Sequence, residues 1–148
     1  VNEVVTEAVK DFTSTLQDYP LQIEFEEDPR SPICSLAPLE FELAVFNLLK
    51  NAKEALKAQK ADEPKLFIKL SSSETHCFVD ISDNGAVISD SDFERMGSVF
   101  KSGKASGLGI GLSIVRSIVQ NHNGSLVLER GKNGGLVCRI RLPILNTE

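Results

Sequence analysis

Residues 101–112, Lys-Ser-Gly-Lys-Ala-Ser-Gly-Leu-Gly-Ile-Gly-Leu, place four glycines and two lysines within twelve positions. Gly103, Gly107, Gly109 and Gly111 permit positive φ and close backbone approach. The segment that follows opens a helix, whose free N–H groups and dipole favour an anion. This is phosphate-binding chemistry, although a flexible loop capping a helix would use the same residues. A Walker A loop is excluded, because five residues separate Gly97 from Gly103 and Ala105 follows Lys104, so no hydroxyl is placed for Mg²⁺. A dinucleotide fingerprint is excluded as well, since the run Gly107-x-Gly109-x-Gly111 follows a polar loop and not a strand.

Two further groups of residues carry chemistry. Asn47 and Asn51 are one helical turn apart on a mostly apolar face, with Glu54 a further turn along. Buried amides need partners, since an unpaired one costs roughly 1–3 kcal/mol. Their partners are either neighbouring backbone or a metal-bound ligand, and oxygen ligation of this kind suits Mg²⁺. Asp83-Asn84-Gly85 ends an apolar strand with a carboxylate just before a glycine, which is either a ligand-reading acid or simply good turn chemistry.

The elements that must position these residues can be read from periodicity. Val4, Val5, Ala8, Val9, Phe12 and Leu16 recur at helical spacing until Tyr19-Pro20. Leu21, Ile23 and Phe25 alternate with polar residues, the pattern of a half-buried strand, and a turn-rich connector follows around Pro29 and Pro32. A second helix begins near Pro38 and runs through Phe41, Ala44, Val45, Leu48, Leu49, Ala52, Ala55 and Leu56. Residues 66–70 and 77–81 form two strands around the turn 71–75. Ser91-x-x-Glu94 has the form of a capping box opening a short helix through Met96.

The helix after the glycines puts Ile110, Ile114, Val115, Ile118 and Val119 on one face and turns Arg116, Ser117 and Gln120 outward. It closes at Asn123-Gly124, a left-handed cap. Residues 125–129 and 136–142 make a final hairpin across Lys132-Asn-Gly-Gly135. The order predicts a two-layer α/β sandwich, with helices on one face of a mixed, largely antiparallel sheet.

The 148 residues, 41% hydrophobic and 25% charged, are expected to form one globular domain over 1–148. A net charge of −5 argues against nucleic acid as the main partner. Cys34, Cys77 and Cys138 are odd in number and lack C-x-x-C pairing, which argues against a disulfide framework or a zinc site and for a reducing, cytoplasmic compartment. No run approaches the roughly 18 apolar residues of a membrane span, and there is no signal-peptide pattern. A start at Val1 suggests a fragment of a longer protein.

Taken in order, Asn47-Leu-Leu-Lys-Asn51-Ala52, Asp83-Asn84-Gly85 and Gly107-Leu-Gly-Ile-Gly-Leu112 resemble the N box and the two glycine boxes of the ATP-binding catalytic domain of two-component sensor histidine kinases. Phe100-x-x-x-Lys104 resembles the end of that family's F box, and the resemblance covers nearly the whole chain. It implies an α/β sandwich that holds Mg·ATP beneath a lid, with residues 102–106 as that lid. It implies Asn51 as the Mg²⁺ contact, Asn47 as a phosphate-side or metal-side contact, and Asp83 as acceptor for the adenine amine beside Gly85. Gly107, Leu108, Gly109, Ile110, Gly111 and Leu112 would line the phosphates, and Lys104 would neutralise the γ-phosphate.

Related ATPases and serine kinases of the wider superfamily carry a basic Glu where this chain has Asn47, so the resemblance points to a kinase whose nucleophile, a histidine imidazole, arrives from elsewhere. The implied partners are a dimerisation and phosphoacceptor domain of the same protein and a downstream response regulator, in a full-length homodimer that can be membrane-anchored. His76 and His122 are not placed as phosphoacceptors. One departure stands out: Val87 replaces the second glycine of the first glycine box, and either packs on the base or fills the pocket. In the second case the alternative is a degenerate nucleotide-binding or protein-interaction module without catalysis. An ATPase or serine kinase of the superfamily is the remaining alternative.

Overall fold

The computed structural model describes residues 1–102 and 109–145, except for the side chains at 98–102 and 109–111. The chain folds as α1 (Asn2–Thr13), β1 (Gln22–Glu26), α2 (Pro38–Ala58), β2 (Lys65–Ser72), β3 (His76–Asp83), α3 (Asp90–Ser102), α4 (Gly109–Asn121), β4 (Ser125–Arg130) and β5 (Leu136–Pro143). The five strands lie in the order β1-β2-β3-β5-β4. β1 and β2 are parallel, while the other neighbours are antiparallel. This is the expected mixed sheet. The parallel pair is possible because α2 supplies the crossover between its strands.

Alternation along β2 and β3 sends Leu66, Ile68 and Leu70, with Cys77, Val79 and Ile81, into the core. They meet Phe41, Val45, Leu48, Leu49 and Leu56 from α2 and Val5, Ala8 and Phe12 from α1. From α4, the buried residues are Leu112, Val115, Ile118 and Val119. Ile114, expected on that face, is 39% exposed. The buried arc is centred on Leu112, Val115 and Val119, and at 100° per residue Ile114 falls beyond its edge.

Two end signals differ from expectation. The cap of α3 is Ser89, not Ser91: the Phe93 N–H closes the first turn on the Ser89 carbonyl at 2.9 Å, and the Asp92 N–H donates to Ser89 Oγ at 3.2 Å. The helix also continues past Met96 to Ser102. At the end of α4, Asn123 adopts φ +58° as expected for a left-handed cap.

Cys34 in the connector and Cys77 on β3 bring their sulfurs within 3.0 Å, a proximity hidden by 43 residues of sequence; both are free thiols. No helix among the described residues is long and apolar enough to cross a membrane.

Candidate functional site

One cleft opens between the C-terminal half of α2 and the ends of β3 and β5. Its apolar walls are Leu48, Ala52 and Ala55 of α2, Ile81 of β3, Leu128 of β4, Leu136 and Cys138 of β5, Ile88 and Met96 around α3, and Leu112 of α4. The polar groups that enter it are few: Asn51, Gln59 and Asp83. A pocket that is mostly apolar with a few fixed polar groups is the general form of a small-molecule site.

Asp83 is the last residue of β3, where the strand leaves the sheet. Its Oδ1 accepts the Gly85 N–H at 2.8 Å and its Oδ2 accepts the Leu136 N–H at 3.4 Å. Burial pushes the carboxyl above its ordinary value, and the two backbone donors pull against that shift. Cys138 beside it is buried; that burial, with the Asp83 charge adding, pushes its thiol up to about 12 and leaves it unreactive.

The neighbouring Asn84 has a different role. It donates from Nδ2 to the Glu63 carbonyl at 2.7 Å and accepts the Lys65 N–H at 2.8 Å, which ties the end of β3 to the start of β2. The Asp-Asn-Gly run is thus both kinds of chemistry at once: Asp83 makes the turn contact to Gly85 and also lines the cleft, while Asn84 ties the two strand ends together.

The β4–β5 turn closes over this corner. Gly135 sits at φ +76°, and a Cβ there would lie 2.2 Å from the Asp83 carbonyl oxygen. Its N–H donates to the Ala86 carbonyl at 2.9 Å. Only glycine combines that backbone angle with that approach.

On the facing helix, Asn51 lines the cleft, and its Nδ2 is buried with no hydrogen-bond partner. Since the oxygen and nitrogen of an amide exchange by a half-turn of the side chain, the unpartnered position offers a carbonyl or an N–H₂ to whatever enters. Asn47, one turn earlier, is half-buried and does not line the cleft. Its Nδ2 donates to the Leu43 carbonyl at 2.8 Å, which leaves the side-chain oxygen as its ligand atom. Glu54 is exposed.

Leu112 brings the first turns of α4 to the same cleft, and Gly109, Ile110 and Gly111 form the start of that helix. Lys104, Gly107 and Leu108, with most of the expected lid, lie outside the described residues. Val87 is 80% exposed and is not a cleft residue; Ile88 takes the inward position. Val87 also avoids positive φ, so the missing second glycine neither fills the pocket nor strains the turn. Of the two expectations for Val87, blocking the pocket is contradicted, while the negative φ that goes with the other is what the turn adopts.

Sequence reasoning missed Gln59. It stands at the C-cap of α2 in a polar stretch that reads as a connector, yet its Oε1 accepts the Ala86 N–H at 2.8 Å. No local signal marks it, because its partner lies 27 residues away.

The arrangement, an amide-bearing helix facing a strand-end acid across a cleft that a glycine-led helix also enters, defines a class of nucleotide-binding sandwich. The family model described as "Histidine kinase-, DNA gyrase B-, and HSP90-like ATPase" matches residues 37–146, and the chain belongs to that family.

Among curated proteins, the sensor protein FixL of Bradyrhizobium diazoefficiens is 29% identical over 123 residues, covering 83% of this chain and 24% of that protein. Sporulation kinase B of Bacillus subtilis is 27% identical over 139 residues, covering 91% of this chain and 32% of that protein. The chain thus spans a minor part of the length of the curated relatives it matches. Among solved structures, the catalytic domain of histidine kinase ThkA superposes with a TM-score of 0.79 at 25% identity, covering 96% of this chain and 92% of that one. The histidine kinase domain of the E. coli osmosensor EnvZ gives 0.72 at 28% identity, covering 100% and 88%.

Proposed function

We propose that the cleft binds Mg·ATP and that this domain delivers the γ-phosphoryl group to a histidine on a dimerisation domain of the same protein, which in turn serves a response regulator. The single observation that carries this reading is the buried, unpartnered amide of Asn51 facing a strand-end carboxylate across an otherwise apolar cleft. Such an amide is a net cost to the folded protein unless a ligand completes it.

Each residue then has a task suited to its chemistry. Asp83, an acceptor when ionised, takes the exocyclic amine of adenine, while the apolar walls enclose the ring. Asn51 would turn its amide oxygen to the metal, and Asn47 would offer its own oxygen on the phosphate or metal side. Bound Mg²⁺ would neutralise and orient the phosphate oxygens. Gly107, Gly109 and Gly111 would offer backbone N–H groups to the phosphates, the last two from the start of α4, and Lys104 would add a positive charge at the γ-phosphate. In the transfer, a histidine ring nitrogen bonds to the γ-phosphorus as the bond from that phosphorus to the β–γ bridging oxygen breaks, and ADP leaves.

Asn47 supports the choice of acceptor. An amide cannot take a proton, so the chain has no base at this position to activate water or a serine. An imidazole brings its own lone pair and needs none. The rival reading, a module that has lost nucleotide binding, draws its support from Val87, and that residue stands outside the cleft at 80% exposure.

Calorimetric titration with ATP, with and without Mg²⁺, tests the binding step. The parent should bind Mg·ATP with Kd between tens of micromolar and millimolar, or roughly 4–6 kcal/mol. Absence of heat at millimolar Mg·ATP overturns the reading. For the transfer step, acid-labile label should appear only when the helical dimerisation domain is added; label on His76 or His122 of the isolated chain would contradict it.

A further inference from the structure

Gln59 and Asp83 approach one another over Gly85. A methyl group built on Gly85 would sit 2.7 Å from Asp83 Oδ1, 2.8 Å from Gln59 Oε1 and 3.3 Å from Gln59 Nε2, so the carboxylate and the amide stand side by side at the mouth of the cleft they both line. The amide's orientation is determined by its neighbour. The Ala86 N–H is a donor, so the amide atom it meets at 2.8 Å is the acceptor Oε1. Nε2 is therefore the atom left to face a ligand, and among the described residues it has no hydrogen-bond partner. The result is an acceptor and a donor held next to each other.

That pair has a natural counterpart. The edge of adenine presents an N–H₂ donor at position 6, flanked by ring-nitrogen acceptors at positions 1 and 7. Building on the Mg·ATP reading above, we propose that Gln59 is a second base-reading residue: Asp83 accepts from the exocyclic amine while Gln59 Nε2 donates to the ring nitrogen beside it. Guanine in the same pose sets its O6 acceptor against the carboxylate. Where N1 is the nitrogen contacted, it also sets N1–H against the amide donor. Shifting guanine by one position to restore the pairing would displace the ribose and triphosphate from the rest of the site. Specificity then comes from penalising the wrong base as well as from pairing with the right one.

Gln59 also has a structural contact, so the test must separate the two. ATP, 1-deaza-ATP and 7-deaza-ATP, each with Mg²⁺, are titrated against the parent, Gln59→Leu and Gln59→Glu. The parent should bind one of the two deaza analogues about 5- to 10-fold more weakly than ATP, the loss of one donor–acceptor pair. In Gln59→Leu that ratio should fall to about 1. Gln59→Glu keeps an acceptor for the Ala86 N–H but has no donor, so it too should show no discrimination while retaining the turn. If both variants weaken ATP and the analogues in equal proportion and keep the parent's ratio, Gln59 only holds the turn and the proposal is wrong. A parent that binds ATP without discriminating against either analogue overturns this inference alone; a parent that binds no nucleotide overturns the Mg·ATP reading with it.

Discussion

The two ends of α2 solve their polar groups in opposite ways. At its start, the Ala37 N–H donates to His122 Nε2 at 2.9 Å, and His122 Nδ1 meets the Ile118 carbonyl at 2.7 Å, so one imidazole in its Nδ1–H form joins the ends of two helices. Every polar atom in that chain of contacts has a protein partner. In the second half of the same helix, Asn51 Nδ2 is buried without one, and Gln59 just past its end is exposed, with its Nε2 open to solvent at the cleft mouth. The completed end serves the fold, and on the proposed reading the incomplete end is where a ligand would add what the protein lacks. Tyr19 Oη, Asp28 Oδ2 and Ser72 Oγ are also buried without partners, but none of them lines the cleft; Asn51 is set apart because its open atom belongs to a cleft residue.

Substitutions can sharpen that contrast, and the largest effect is expected at the corner that builds the site. Gly135→Ala combines φ +76° with a Cβ 2.2 Å from the Asp83 carbonyl oxygen. It should cost about 2–4 kcal/mol of stability and abolish nucleotide binding, both readable from denaturant melts and titration. Near-parental values would show that the turn moves freely and does not set the Asp83 geometry.

Asn51→Leu should separate stability from function. Removing an unsatisfied buried amide is expected to leave stability within about 1 kcal/mol of the parent, or to raise it. Mg·ATP affinity should nevertheless fall at least tenfold, about 1.4 kcal/mol. A fall in melting temperature with unchanged affinity would reverse the assignment and make Asn51 a structural residue. His122→Ala at the other end should do what Asn51→Leu does not: lose about 1 kcal/mol of stability while leaving Mg·ATP affinity as it was.

The smallest effect concerns Asp83 and pH. Its carboxyl is raised in the folded chain above its ordinary 3.8, chiefly by burial. A group raised on folding contributes stability that is fully present below the unfolded value and is lost as pH rises through the folded one. The stability of the parent minus that of Asp83→Asn should therefore decline as pH climbs above 3.8, in melts followed across the acid range. A flat difference would mean that the ionised carboxylate pays no desolvation cost in the cleft.

How much of this was legible beforehand follows from how local each determinant is. Helix and strand positions were, because the apolar periods of α2, β2 and β3 are strong and each element is buried on the face its period dictates. The cap of α3 was not, since Ser89 and Ser91 are equally good hydroxyls and the difference lies in where the chain leaves the site. Asp83 and Asn84 carried the right chemistry in sequence, but that Asp83 both holds the turn and lines the cleft, and that Asn84 ties strand ends, depended on partners such as Leu136, Glu63 and Lys65 far away in sequence. Gln59 depended on Ala86 in the same way. Ile114 shows the limit of a face read by eye, where one residue at the edge of an arc can fall on either side.

The closure of β5 against β3 has a consequence in time. Asp83 and Leu136 are 53 residues apart, and their contact exists only once β3 and β5 have paired along their length. The hairpins β2–β3 and β4–β5 need only short loops to close, whereas this pairing must first overcome the entropy of a long one. The Asp83 corner is therefore completed late in folding, after the barrier if the β3–β5 pairing forms on its native side. Nucleotide bound there would then lengthen the lifetime of the folded chain by slowing unfolding, and would leave the rate of folding unchanged.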